Sequence, residues 1–251
     1  LIGFILPDLE NQSYARLAKL LEARAREQGF QLIITCSDDD PATEMALADI
    51  LVARRIDALL VSSVLEAQHP FYANMQARGT PVIALDRALD PALFASVISE
   101  DLQGAQQLTA SLLTPAPASI GLLGAVAEMA VSRQREQGFR AALAAMAPQL
   151  QPDCRYGAHF SRDVGASVCQ QWLDEGTLPE ALVTTSYVLL EGVLDVLAAH
   201  PQKLAAMRLA TFGDNRLLDF LPVRVNALPQ QFPLIAERAL QLTLAATQQD
   251  Y

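Results

Sequence analysis

The sequence predicts an α/β fold built from two Rossmann-like halves. Short apolar runs alternate with helix-periodic stretches along the whole chain. About ten such runs are present, more than one open sheet of 251 residues holds comfortably. The opening run, LIGFIL, is continuously apolar, as a strand buried on both faces is. Apolar residues make up 51% of the chain and charged residues 18%, the balance of a globular protein.

The elements follow in order. Strand 1–6 ends at Pro7, and a polar loop, 8–13, crosses the sheet edge. Ser13 stands where an N-cap belongs, ahead of Tyr14, Leu17, Leu20, Leu21 and Ala25. Gly29 closes that helix, and QLIITC (31–36) is the second strand. In SDDDP (37–41) the aspartates Asp38, Asp39 and Asp40 are read as caps of helix 42–55, since carboxylates suit a helix N-terminus. The apolar residues of that helix are Met45, Leu47, Ile50 and Leu51. Strand 56–62 and helix 70–78 come next, the helix closed by Gly79. PVIAL (81–85) is a strand that delivers Asp86 and Arg87 to the same edge as Asp8. SVIS (96–99) is a fifth strand.

A second series repeats the pattern. Asp101 caps helix 102–113, TPAP (114–117) turns, and strand 120–123 follows. Ser132 caps helix 133–147, which Pro148 ends. Strand 155–160, helix 163–172, strand 181–185, helix 186–200, strands 209–212 and 223–228, and helix 231–247 complete the chain. The spacing is that of right-handed βαβ units. The expected domains are 1–98 with 230–251, and 99–229, joined by short crossovers that can hinge. In such sheets ligands bind at the carboxyl ends of the strands.

Several function classes are disfavoured. A net charge of −10 opposes direct contact with nucleic acid, which needs a dense basic surface. No apolar run approaches the roughly 18 residues of a membrane span. No basic leader or small-residue cleavage site heads the chain, which opens inside a strand without an initiator Met. The expectation is that a segment upstream is missing. Cys36, Cys154 and Cys169 are odd in number and far apart, and read as reduced, structural thiols of a cytoplasmic protein. His69, His159 and His200 have no partners at metal spacing. Leu6-Pro7-Asp8 replaces the glycine-rich dinucleotide turn, and no phosphate-loop lysine, nucleophile elbow or H-E-x-x-H occurs. With no cofactor, metal or catalytic set to name, a binding protein is expected over an enzyme.

The segments PDLENQSY, SDDDP, PVIALDRALD, SRQREQGF and ATFGDN, in that order, resemble the effector-binding core of the LacI/GalR family of bacterial transcriptional regulators. The resemblance covers essentially the whole chain. It implies a fold like that of periplasmic sugar-binding proteins, with three crossovers and the effector in the cleft between two subdomains. It implies a helix-turn-helix domain and hinge helix upstream that bind operator DNA, and a further strand downstream of Tyr251. It also implies a homodimer or a dimer of dimers. Helices 42–55 and 70–78 are the expected dimer face. The implied effector is fructose 1-phosphate, with fructose 1,6-bisphosphate as its rival.

The candidate effector-binding residues are Arg87, Arg135, Ser13, Tyr14, Asp86, Phe160, Ser186, Asp214 and Asn11, with Asp8 and Asn215 weaker. The family's effector-binding arginine precedes a glycine by three residues, which Gly138 matches to Arg135. That arginine is expected in a helix's first turn, where a cation opposes the dipole unless an anion binds too. Arg133 reads as surface. Arg87 is the counterpart in the other half, and two arginines make a fork for a phosphate that lysine cannot match. Its alternative role is an ion pair with Asp8 or Asp86. Asp86 accepts from a sugar hydroxyl or orients Arg87. Ser13 and Tyr14 match positions following the family's N-P loop, here Asn11-Gln12. They either touch ligand or serve as an N-cap and a core ring. Phe160 stacks on ligand or packs in the core. Ser186 binds sugar hydroxyls or caps its helix. The family's late G-F/Y-D-D/N loop reads Thr211-Phe212-Gly213-Asp214-Asn215 here, which leaves Asp214 and Asn215 both open. The competing readings are a periplasmic sugar-binding protein and a sugar-phosphate isomerase or kinase.

Overall fold

The computed structural model describes residues 1–98 and 101–248. The chain divides into two compact units, Leu1–Ser99 with Gln231–Tyr251, and Glu100–Gln230. The first contains β1 (Ile2–Leu6), α1 (Gln12–Glu27), β2 (Leu32–Cys36), α2 (Pro41–Ala53), β3 (Ala58–Val61), α3 (Pro70–Ala77), β4 (Val82–Leu85) and β5 (Ala95–Val97). The second contains α4 (Asp101–Ala110), β6 (Ile120–Ala125), α5 (Ala130–Met146), β7 (Asp153–Gly157), α6 (Arg162–Glu175), β8 (Ala181–Thr184), α7 (Tyr187–Leu197), α8 (Pro201–Ala206), β9 (Arg208–Phe212) and β10 (Val225–Leu228). Helix α9 (Phe232–Thr247) returns to the first unit.

Both sheets are parallel and share one strand order. It is β2-β1-β3-β4-β5 in the first unit and β7-β6-β8-β9-β10 in the second. The α/β fold with two Rossmann-like sheets is therefore as the sequence predicts. The shared order places a switch point between β1 and β3, and another between β6 and β8. At a switch point the connections leave for opposite sides and open a crevice at the carboxyl ends.

Each sheet is covered on both faces, which is why its central strands are apolar throughout. Ile2, Phe4 and Leu6 of β1 pack with α1 and α9, whereas Ile5 points to the other face with α2 and α3. In the second unit Leu123 and Ala125 pack with α6 and α7, and Ile120 and Leu122 with α4 and α5. Gly138 lets α5 approach α4: a Cβ there would lie 2.1 Å from the Leu102 carbonyl oxygen.

Several local expectations are corrected. Asn11, not Ser13, caps α1; its Oδ1 accepts from Ser13 N at 3.0 Å. Among the three aspartates only Asp40 caps α2, accepting from Thr43 N at 2.8 Å. Its inward positions are Glu44, Ala48 and Leu51, one helical face, and Ile50 is exposed. The helix read as starting after Ser132 begins at Ala130; the Ser132 hydroxyl instead donates to the Ala125 carbonyl at 2.8 Å. Asp101 is the first residue of α4, its carboxylate turned to Arg135. The strand expected at 155–160 runs Asp153–Gly157, so Phe160 lies in the following loop. Helix 186–200 ends at Leu197, and Pro201 starts α8. The fifth strand is Ala95–Val97, and Ser99 of the expected 96–99 lies outside the described residues.

Candidate functional site

The carboxyl edge of the first sheet carries a buried polar network. Chain turns after β1, β2, β3 and β4 deliver Asp8, Asp39, Ser62 and Asp86 there. Tyr14 is the third residue of α1, so its ring is buried while its hydroxyl reaches the edge. That hydroxyl donates to Asp86 Oδ2 at 2.8 Å and lies 2.9 Å from Ser62 Oγ. Burial raises the Tyr14 pKa well above the usual tyrosine value; Asp86 pushes the same way and Arg87 the opposite. Tyr14 is therefore a fixed hydrogen-bond donor at neutral pH. Asp86 has φ +64°, and Arg87 N bonds back to Leu85 O at 2.6 Å. This is a γ-turn in its rarer, strained form. The strain swings the Asp86 carboxylate toward Tyr14 and leaves Arg87 pointing at the loop after β2.

Arg87 is buried there against Asp39. Nη1 donates to Asp39 Oδ1 at 2.5 Å, and Nη2 lies 3.4 Å from Oδ2. The two side chains are only 6% and 7% exposed. An ion pair is thus made with Asp39, where the alternative reading of the sequence named Asp8 or Asp86. Burial works to lower the Arg87 pKa, but Tyr14, Asp39 and Asp86 outweigh it and raise it, so the guanidinium stays charged. Asp39 and its neighbour Asp38 both have positive φ, +56° and +54°. The loop is pinned by Ser37 N to Leu6 O at 2.9 Å and Asp38 N to Pro7 O at 2.8 Å. A second carboxylate, Glu44, is fully buried behind this edge. It accepts from Ser63 Oγ at 2.6 Å, Val64 N at 2.8 Å and Tyr72 Oη at 2.6 Å, fixing the turn after β3.

The carboxyl edge of the second sheet is organised differently. Arg135 lies in the second turn of α5, not the first, so the helix-dipole argument for an anion there does not hold. Its charge is matched by Asp101: Nε donates to Oδ1 at 3.0 Å, and Nη2 is 3.0 Å from the same oxygen. Nη1 donates to the carbonyl of Thr185, just past β8. The guanidinium carbon sits 4.2 Å from the centre of the Phe212 ring, a cation–π stack. Arg135 and Gly138 are three residues apart and share a helix face. The glycine's close approach to α4 is what brings Asp101 within reach. Thr185 Oγ1 is buried without a partner among the described residues.

The other candidates fall around these two centres. In the first unit Tyr14, Asp86 and Arg87 form one network, and Asn11 and Ser13 head the same helix as Tyr14. Asp8 shapes its own loop by accepting from Glu10 N at 2.9 Å. In the second unit Ser186 occupies the N-cap position of α7 without a side-chain cap bond, next to the Thr185 that holds Arg135. Phe160 is half-buried against the α6–α7 side of the core. Gly213, with φ +85°, turns the chain so that Asp214 is exposed, and Asn215 Oδ1 accepts from Leu217 N at 2.9 Å. Arg133 is exposed, as expected, and bonds the Glu128 carbonyl. His69 caps α3, its Nδ1 accepting from Phe71 N at 3.2 Å. The three cysteines are free thiols, and burial pushes Cys154 and Cys169 up to about 11.

Sequence reasoning missed Asp39, Ser62, Glu44, Asp101 and Phe212 as parts of these networks. One signal was available for Glu44: it stands four and seven residues before Ala48 and Leu51, on the inward face of α2.

Two parallel sheets of one topology, each with a buried arginine at its carboxyl edge, define a periplasmic-binding-protein-like class. Residues 1–201 match the family described as periplasmic binding proteins and the sugar binding domain of the LacI family, and the chain belongs to it. It is 56% identical over 249 residues to the fructose operon regulatory protein of Vibrio cholerae, covering 99% of this chain and 76% of that protein. It is 42% identical over 251 residues to the catabolite repressor/activator of Escherichia coli K12, covering 98% and 73%. Among solved structures, the Cra transcriptional dual regulator of Pseudomonas putida in complex with fructose 1-phosphate matches with a TM-score of 0.94 at 51% identity. That match covers 100% of this chain and 92% of that one. An ABC transporter solute binding protein from Burkholderia multivorans matches at 17% identity and TM-score 0.87, which shows the fold alone. The periplasmic alternative is therefore not favoured: the relatives above 40% identity are transcriptional regulators.

Proposed function

We infer that this chain is the effector-sensing part of a bacterial regulator of carbon metabolism, and that its effector is fructose 1-phosphate. The observation that carries this is the likeness to Cra in complex with fructose 1-phosphate, at 51% identity over the whole chain. The chemistry of the two edges supports it. Arg87 and Arg135 offer guanidinium N–H groups, Asp86 accepts from sugar hydroxyls, and Tyr14, held by Ser62 and Asp86, fixes the geometry. Asn11, Ser13, Ser186 and Asp214 supply further polar groups, and Phe160 an apolar face. Residues 1–98 with 230–251 and 99–229 act as the two subdomains.

Ligand binding shifts the population between two arrangements of the subdomains, by no more than its difference in affinity for them. In the intact regulator, a cytoplasmic dimer with a DNA-binding domain upstream, that shift weakens operator binding. The α2 and α3 helices form the dimer face, and no reaction is catalysed. The test is operator binding by the intact regulator, with and without saturating fructose 1-phosphate, in a mobility-shift assay. Affinity falling at least tenfold, about 1.4 kcal/mol, is the expected result. Unchanged operator affinity contradicts it.

A further inference from the structure

Glu44 has no exposed surface, so it cannot itself touch a ligand. It stands in the first turn of α2, where the helix N–H groups favour a negative charge. A buried carboxylate also needs donors, and three serve it. Ser63 Oγ and Tyr72 Oη both donate to Oε2 at 2.6 Å, and Val64 N donates to Oε1 at 2.8 Å. Two of these donors come from one place, the turn that leaves β3. The Ser63 hydroxyl also accepts from Leu65 N at 3.0 Å, so Glu44 and Ser63 together hold residues 63–65. The third donor, Tyr72, belongs to α3 and lies outside the turn.

The residue that opens this turn is Ser62. Its N–H is fixed to the Ile5 carbonyl of β1 at 2.9 Å, and the next residue is the one Glu44 grips. Ser62 Oγ lies 2.9 Å from Tyr14 Oη, and Tyr14 spends its one hydroxyl proton on Asp86 Oδ2 at 2.8 Å. The Ser62 hydroxyl is therefore the donor to Tyr14. The hydrogen bonds run in one direction, from Ser62 to Tyr14 to Asp86.

We propose that Glu44 is a positioning residue for the effector site: by gripping the turn after β3 it fixes Ser62, and through Ser62 and Tyr14 it orients the Asp86 carboxylate. This rests on the reading of Asp86 as an acceptor for sugar hydroxyls, and every contact in the chain from Glu44 to Asp86 lies within the first unit. The two hydroxyls on Glu44 Oε2 separate positioning from plain stability. Ser63 and Tyr72 donate to the same oxygen at the same distance, but only Ser63 carries the grip into the turn.

The experiment is calorimetric titration of fructose 1-phosphate into the wild-type chain, Glu44→Gln, Ser63→Ala and Tyr72→Phe, with a thermal melt of each protein. Glutamine turns an amide NH2 toward groups that are themselves donors, so E44Q loses part of the grip. Its affinity is expected to fall about tenfold or more. Ser63→Ala and Tyr72→Phe each remove one hydroxyl from Glu44, and both are expected to melt below wild type. Their affinities are expected to part: Ser63→Ala weakens about tenfold, whereas Tyr72→Phe stays within about twofold of wild type. A purely structural role for Glu44 does not produce that split. Wild-type affinity in Ser63→Ala overturns the proposal, and so does equal weakening in Ser63→Ala and Tyr72→Phe; neither outcome needs a folded E44Q. A wild type that binds no fructose 1-phosphate instead rejects the effector reading itself, and the proposal falls with it.

Discussion

Arg87 and Arg135 are both buried and both paired with an aspartate, yet they are built in opposite ways. Arg87 follows a strand directly, on a strained turn, and meets a carboxylate from a loop with two left-handed residues. Arg135 sits well inside a regular helix, and its carboxylate opens a neighbouring helix that a glycine allows to come close. The first site is fixed by backbone strain and a hydroxyl network, the second by helix packing and an aromatic face. Loop-built sites are sensitive to charge, because little apolar contact holds them. Helix-built sites are sensitive to volume, because a small change at the contact moves both helices.

Breaking either ion pair has the largest expected effect. Asp101→Ala removes the carboxylate that faces buried Arg135 and is expected to cost about 3–5 kcal/mol in urea unfolding, and Asp39→Ala is expected to cost less, because Asp86 still faces Arg87. If one of them is near neutral, that arginine is more hydrated than its burial indicates. A smaller effect separates the two constructions. Gly138→Ala places a methyl 2.1 Å from the Leu102 carbonyl, so α5 shifts from α4 at a cost of about 1–3 kcal/mol. Its fructose 1-phosphate affinity is expected to fall as Arg135 moves. A fall in stability without a fall in affinity would separate helix packing from the site.

Much of the fold was legible in the sequence because buried parallel strands write themselves as apolar runs, and LIGFIL needs little else. The shared strand order was not legible, since order is a matter of which strands pair and not of what each contains. Arg87 and Arg135 stood out as candidates through the motifs around them, and the structure buries both. Their partners were not legible, because a carboxylate beside a helix start reads as a cap. SDDDP holds one aspartate that caps and one that pairs with a residue 48 positions away, and nothing local tells them apart. Gly138 served only as a motif landmark in the sequence; its physical reason needed the neighbouring helix.

Tyr14→Phe removes one hydroxyl from the first edge and is expected to cost about 1–2 kcal/mol of stability, since Asp86 and Ser62 lose a buried partner. The same change has no counterpart in the second unit, where Phe212 already supplies a ring without a hydroxyl. The smallest effect concerns acid. Arg155 hydrogen-bonds Asp153 and holds its carboxyl below the usual aspartate range, against a smaller opposing effect of desolvation. A depressed folded pKa gives stability that is present above the unfolded value of about 3.9 and is lost as pH falls through the folded one. Asp153→Asn is therefore expected to flatten the acid limb of a pH–stability curve below about pH 4. An acid limb identical to wild type would remove Asp153 from the account.

The most direct test of the central claim is calorimetric titration of fructose 1-phosphate into the wild-type chain, Arg87→Lys and Arg135→Lys. Lysine keeps the charge and loses the planar fork. The account predicts binding to wild type that weakens at least tenfold, about 1.4 kcal/mol, in each variant. No binding to wild type, or binding that both variants retain at full strength, would contradict it.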